Sequence, residues 1–208
     1  VGFMPKKHHK HSKKEGVYNL LLEISKELSK KKLGGLFVIG KKNAFKHNLY
    51  EHLYPQVCSS KITERGSKEL ILKLAELDGA FLIGDDGTIV AFGARIVNSK
   101  TLPGYGTKHA AALGITSHLK NSCAILVSEE TGWIKIFKKG RIILKMDATE
   151  TPKSVMHDVV TFVTDSDTAL LATAGVSAAI MGFIPVVIVS GTYLAIKTAS
   201  GVIKKGLT

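Results

Sequence analysis

A chain of 208 residues, 45% of them hydrophobic, is long enough for one globular domain with a real core and extra pieces at its ends. Lysine and arginine outnumber aspartate and glutamate by 29 to 17, and the formal charge of +12 points to anionic partners such as nucleotides, nucleic acid or phospholipid head groups. The two cysteines, Cys58 and Cys123, form neither a CxxC pair nor a disulfide framework, which excludes a disulfide-stapled scaffold and fits a reducing interior compartment.

The charge is uneven. Lys6, Lys7, Lys10, Lys13 and Lys14 lie among His8, His9 and His11 in the first fourteen residues, and without those five lysines the excess falls from 12 to 7. Residues 1–16 are polar and lack hydrophobic periodicity, which predicts a basic disordered tail. The histidine spacing there matches no closed zinc site, and the first apolar run comes too late for a signal peptide. A nucleic-acid-binding reading would rest on this tail alone, so nucleic acid is not expected as a partner.

From Glu15 to Lys32, Val17, Leu20, Leu21, Ile24 and Leu28 recur at helical spacing, and Gly34-Gly35 supply the stop. Residues 36–40, LFVIG, form a short apolar run bounded by glycine, the pattern of a buried strand. Residues 41–60 read as irregular surface chain. A second helix is predicted from Ser67 to Leu77 with Ser67 as N-cap. AFLIG, DDG and TIVAFGARI then read as strand, turn and strand, with Asp86-Gly87 as the hairpin signal. After the loop NSKTLPGYG comes a helix from about Thr107 to Lys120. A buried strand at Cys123 to Ser128, a turn at EETG and two strands, WIKIFKK and RIILKM, end the domain near Asp147.

This order predicts an α/β (α+β) fold: a mixed, mostly antiparallel central sheet flanked by helices, occupying 17–150, with a hydrophobic helical C-terminal extension over 151–208. The run 168–196 carries no charge before Lys197 and is long enough for a bilayer's hydrocarbon core of about 20 residues. Two expectations stand: association of 168–196 with a membrane, or a helical hairpin broken near Gly182 to Pro185 that packs on the domain or on a partner chain.

Three polar clusters stand at strand ends or at a helix start. Asp78-Gly79-Ala80 sets a carboxylate beside two residues small enough for close approach of a ligand, or simply makes a turn. From Gly104 to His109, glycines bend the chain and Thr107 is the expected cap of a helix whose free amides and dipole suit phosphate, with Lys108 adding charge. Ser128-Glu129-Glu130-Thr131-Gly132 offers a hydroxyl and two carboxylates suited to a divalent ion, or a solvated hairpin turn.

Taken together, DGA, then GTKHAAALGIT about thirty residues later, then SEETG resemble the diadenylate cyclase (DisA N-terminal-like) family. Its signatures are DGA, an arginine-histidine-arginine motif within GTRHRAALGIS, and SEETG. GGLFVIG resembles the family's first core strand, and the resemblance covers Val17 to Asp147.

The resemblance implies condensation of two ATP molecules into cyclic di-AMP, with Mn²⁺ or Mg²⁺, at a site shared by two face-to-face domains. A homodimer or higher homo-oligomer is therefore implied. It assigns Asp78, Lys108 and His109 to catalysis and Gly79, Ala80, Gly106, Thr107, Ser128 and Ile96 to nucleotide binding. Asp78 with Glu129 or Glu130 would hold the metal. The protein is then expected in the cytoplasm or at the inner face of the cell membrane. The sequence departs from the family at Lys108, a point charge in place of a bidentate fork, and at Ala110, in place of the second arginine. These departures keep open an alternative: a catalytically weak nucleotide-binding sensor that signals through its C-terminal segment.

Overall fold

The computed structural model describes residues 13–57, 59–101, 103–147, 151 and 153–164, together with the backbone of four short strands between 170 and 195. The strands are β1 (Gly35–Gly40), β2 (Tyr50–His52), β3 (Ala80–Gly84), β4 (Ile89–Ile96), β5 (Cys123–Val127), β6 (Trp133–Lys138), β7 (Arg141–Asp147), β8 (Leu170–Thr173), β9 (Val176–Ala179), β10 (Val186–Val189) and β11 (Thr192–Ala195). The helices are α1 (Lys13–Lys30), α2 (Ser67–Leu74), α3 (Thr107–His118) and α4 (Lys153–Thr164). Nine strands form one sheet in the order β11-β10-β7-β6-β5-β1-β3-β4-β2, and β8 and β9 pair separately. Among the described strands only β1 with β3 and β7 with β10 run parallel.

Every residue of β1 is buried, because helices cover both faces of the sheet. Phe37 and Ile39 point into a core built with Leu21 and Leu28 of α1, Ile71 of α2 and Val159 of α4. Leu36 and Val38 point the other way, into a second core with Ala112, Leu113 and Ile115 of α3. Each such fully buried aliphatic or phenyl side chain contributes about 1.5–3 kcal/mol relative to exposure.

Strand directions gather the functional ends. β1 runs parallel to β3 and antiparallel to β5, and β4 runs antiparallel to β3. The starts of β1 and β3 and the finishes of β4 and β5 therefore lie at one end of the sheet. The N-terminus of α3 comes to the same end. Further along α3, a β-carbon on Gly114 would strike the Asn98 carbonyl, so this glycine lets the loop after β4 cross the helix.

The mixed, mostly antiparallel sheet between helices agrees with the expectation from sequence, and several local expectations are corrected. Residues 13–16, read as tail, are the first turn of α1, while 1–12 lie outside the described residues. α1 is stopped before the glycines: Leu33 N–H donates to Leu28 C=O at 2.9 Å and Lys32 N–H to Ser29 C=O at 3.0 Å, with Lys32 at φ +54°. That is a Schellman stop with lysine at the left-handed position.

Ser67 is the first residue of α2, after Gly66 at φ +83°, and its hydroxyl donates to Lys61 C=O at 2.9 Å in place of capping. Thr107 is likewise the first helical residue of α3 after Gly106, with no side-chain cap. The stretch read as irregular contains edge strand β2. The C-terminal extension opens as helix α4, but its described residues beyond 164 are strands, in keeping with the β-branched runs around 186–189. Among the described residues no helix is long and apolar enough to cross a membrane.

Candidate functional site

The turn that carries Asp78 is fixed by backbone contact. Gly79 has φ +101°, and a β-carbon there would come within 2.7 Å of Ala94 N, so neither the conformation nor the space admits a side chain. Ala80, fully buried, pairs with Ala94 across β3 and β4. Asp78 is left exposed at the strand mouth, one carboxylate oxygen accepting the Gly79 N–H at 3.2 Å. The facing edge is held by Gln56, whose amide donates to Phe92 C=O at 2.7 Å and accepts Phe92 N–H at 2.8 Å.

Gly34, the residue before β1, is where the other two clusters meet. A β-carbon there would stand 3.3 Å from Lys108 Nζ and 3.4 Å from Glu129 Oε2, so both charged groups reach over this glycine. The Ser128 to Gly132 segment is a tight turn: Gly132 N–H donates to Ser128 C=O at 2.8 Å, and the Ser128 hydroxyl accepts Thr131 N–H at 3.4 Å. Ser29 of α1 clamps it by donating to Gly132 C=O at 2.6 Å.

A cavity of about 520 Å³ opens between β3, β4 and the first turn of α3. Six residues singled out from sequence line it: Asp78, Gly79, Ala80, Ile96, Thr107 and Lys108. Carboxylate, hydroxyl and ammonium groups thus face apolar walls of Leu36, Leu53, Val97 and Ala111. Gly106, Ser128, Glu129 and Glu130 are outside the lining, and Gly106 has open space around its α-carbon.

Sequence reasoning missed Leu53, Val97 and the Glu51–Arg95 pair at the rim. Arg95 donates twice to Glu51 Oε2, at 2.5 and 3.0 Å, from directly opposed positions of β2 and β4. Leu53 and Val97 are 42% and 48% exposed, large for such residues in an ordinary surface. Their only sequence signal was isolated apolar residues among polar ones.

His109 turns away from the cavity. Its Nε2 accepts from Lys135 Nζ at 2.8 Å, and its ring stacks at a tilt on Tyr105 with centroids 4.7 Å apart. Burial first, then the charges of Lys135 and Lys145, push the His109 pKa down to about 4, so the ring is neutral at pH 7. Glu130 acts on Lys135 from this same side, whereas Glu129 stands with Lys108. The two adjacent glutamates therefore serve different neighbourhoods.

Among the described residues no three His, Cys, Asp or Glu side chains gather into one group, so Asp78, Glu129 and Glu130 do not form a closed cage. The donor set still fits a hard cation such as Mg²⁺. Such an ion is held through one or two carboxylates with phosphate oxygens and water making up the rest, and Asp78 presents a carboxylate to a cavity with that opening.

Residues 23–142, more than half of the chain, match the family model of the DisA bacterial checkpoint controller nucleotide-binding domain. A diadenylate cyclase of Methanocaldococcus jannaschii is 34% identical over 92 residues, 43% of this chain and 29% of that protein. A diadenylate cyclase of Haloferax volcanii is 30% identical over 148 residues, 64% of this chain and 53% of that protein. The chain thus spans about half, or less, of the length of these relatives. DacA from Staphylococcus aureus, solved as a double cysteine mutant, superposes with a TM-score of 0.50 at 20% identity, covering 71% of this chain and 94% of that one. At that identity the likeness speaks for the fold.

Proposed function

The chain belongs to the DisA-type nucleotide-binding family, and from that premise we propose that it is a diadenylate cyclase, joining two ATP molecules into cyclic di-AMP with release of two pyrophosphates. The observation that carries this reading is one cavity in which Asp78, Thr107 and Lys108 face apolar walls. The walls of Leu36, Leu53, Ile96 and Val97 suit an adenine ring, and the polar end suits a triphosphate.

Each step is an attack of a ribose 3′-oxygen on an α-phosphorus, with cleavage of the bond to the bridging oxygen and departure of pyrophosphate. Positioning and charge neutralisation dominate such reactions. Lys108 neutralises phosphate charge, helped by the free amides at the start of α3. In this reading Asp78, at the cavity wall, accepts the hydroxyl proton. Asp78 would hold a Mn²⁺ or Mg²⁺ ion, which would supply further charge neutralisation. Glu129 Oε2 and Lys108 Nζ both reach over Gly34, so a carboxylate stands near the phosphate-binding ammonium. A cavity of this size takes one nucleotide, so the second substrate arrives on a second copy of the chain, and the active form is at least a dimer.

The test is incubation of the protein at several concentrations with ATP and Mn²⁺ or Mg²⁺, with products followed by mass spectrometry. Cyclic di-AMP should form with a steeper than linear dependence on protein and vanish with Asp78→Asn. ATP bound but unconverted under either metal would favour the sensor reading, which the replacement of a family arginine by Ala110 supports.

A further inference from the structure

On the face of the sheet covered by α3, Lys135 of β6 and Lys145 of β7 stand directly opposite each other, both half-buried. Like charges in that position are destabilising. Neither lysine forms an ion pair among the described residues. What Lys135 has is the His109 ring, 2.8 Å from its Nζ, the Tyr105 ring, whose centroid is 5.0 Å away, and the more distant field of Glu130. A lysine ammonium only donates, so His109 Nε2 must be the bare nitrogen, with the proton on Nδ1. Three nitrogen groups therefore share a pocket with too little negative charge.

The cavity is walled by β3, β4 and the first turn of α3, and the lysines stand on β6 and β7, beyond β1 and β5 in the sheet. Thr107 and Lys108 line the cavity, and the next residue of the same helical turn, His109, faces the lysines. We propose that Lys135 and Lys145, with His109 holding Lys135 in place, form a pyrophosphate site that receives the β- and γ-phosphates of the nucleotide and the pyrophosphate released from it. Two ammonium groups on opposed strands match two linked phosphates better than a lone carboxylate, and an anion between them removes the repulsion. The proposal rests on the reading of the cavity as an ATP site, and it adds the groups that hold the leaving end.

The experiment is isothermal titration of the full chain with sodium pyrophosphate and, separately, with adenosine, for the wild type and for the double variant Lys135→Gln/Lys145→Gln. The wild type should bind pyrophosphate, and the double variant should bind it at least tenfold more weakly while binding adenosine equally well. Without ligand, Lys145→Gln alone should melt no lower than the wild type, since it removes a repulsion. A wild type indifferent to pyrophosphate, or a double variant that binds it unchanged, overturns the proposal even if adenosine binds. If adenosine fails to bind while pyrophosphate behaves as expected, the cavity reading falls and the anion site stands.

Discussion

A β-carbon on Gly79 would lie 2.5 Å from the carbonyl carbon of Gly93, so the turn bearing Asp78 is pressed directly onto the backbone of β4. Gly79→Ala should cost about 2 kcal/mol or more in urea unfolding, from the positive φ and the collision together. Gly106→Ala makes the contrast. At φ −77°, with nothing within 4 Å of the added carbon, it should shift stability by less than about 0.5 kcal/mol. A loss of ATP affinity in Gly106→Ala would then report ligand contact and nothing else; unchanged affinity would remove Gly106 from the nucleotide site.

Leu53 and Val97 expose about half their surface at the cavity rim. Changing both to serine should cost under about 1 kcal/mol of stability, since little core is lost. ATP affinity should fall about tenfold if these side chains wall the base, equivalent to about 1.4 kcal/mol. Binding that survives the double change places the base elsewhere.

The Ser29 hydroxyl is the clamp on the turn that carries Glu129. Ser29→Ala leaves the Gly132 carbonyl short of a donor and should lower stability by about 1–2 kcal/mol. The kcat for cyclic di-AMP should fall as well, because Glu129 loses its fixed place beside Lys108. A variant destabilised but fully active per folded molecule would show that the turn needs no such anchoring.

His109 supplies a pH prediction. Its pKa is about 4 in the folded protein, below the ordinary 6.5, because burial and the two lysines disfavour its charged form. The unfolded chain therefore binds more protons between those values. This group's share of stability is complete above pH 6.5 and is lost as pH falls toward 4. Urea midpoints measured from pH 7.5 to 4.5 should drop more steeply for the wild type than for His109→Gln, whose amide oxygen still accepts from Lys135. Parallel curves would place His109 in a solvated setting.

The three polar clusters were legible because each is local: DGA, GTKH and SEETG carry their turns and helix start within a few residues. Bringing Asp78 beside Lys108 required the parallel pairing of β1 with β3, which joins segments some forty residues apart and leaves no local trace. The direction of His109 was illegible for another reason. Lys135 faces Lys145 only in the register that precedes the irregularity between Ile136 and Phe137, and alternation along either strand does not reveal its partner. β2 escaped notice because three residues, two of them exposed, are too few to show a period. The stop of α1 at Lys32 went unseen since a left-handed lysine looks like any other, and the glycines beyond it answer to Leu28 and to the site.

Leu36 belongs at once to the core beneath α3 and to the lining of the cavity. Any substitution that reshapes the floor under a ligand there also disturbs its packing opposite Leu126. Drift in nucleotide preference is therefore channelled outward, to Leu53 and Val97, where the chain can vary its fit without endangering its own folding.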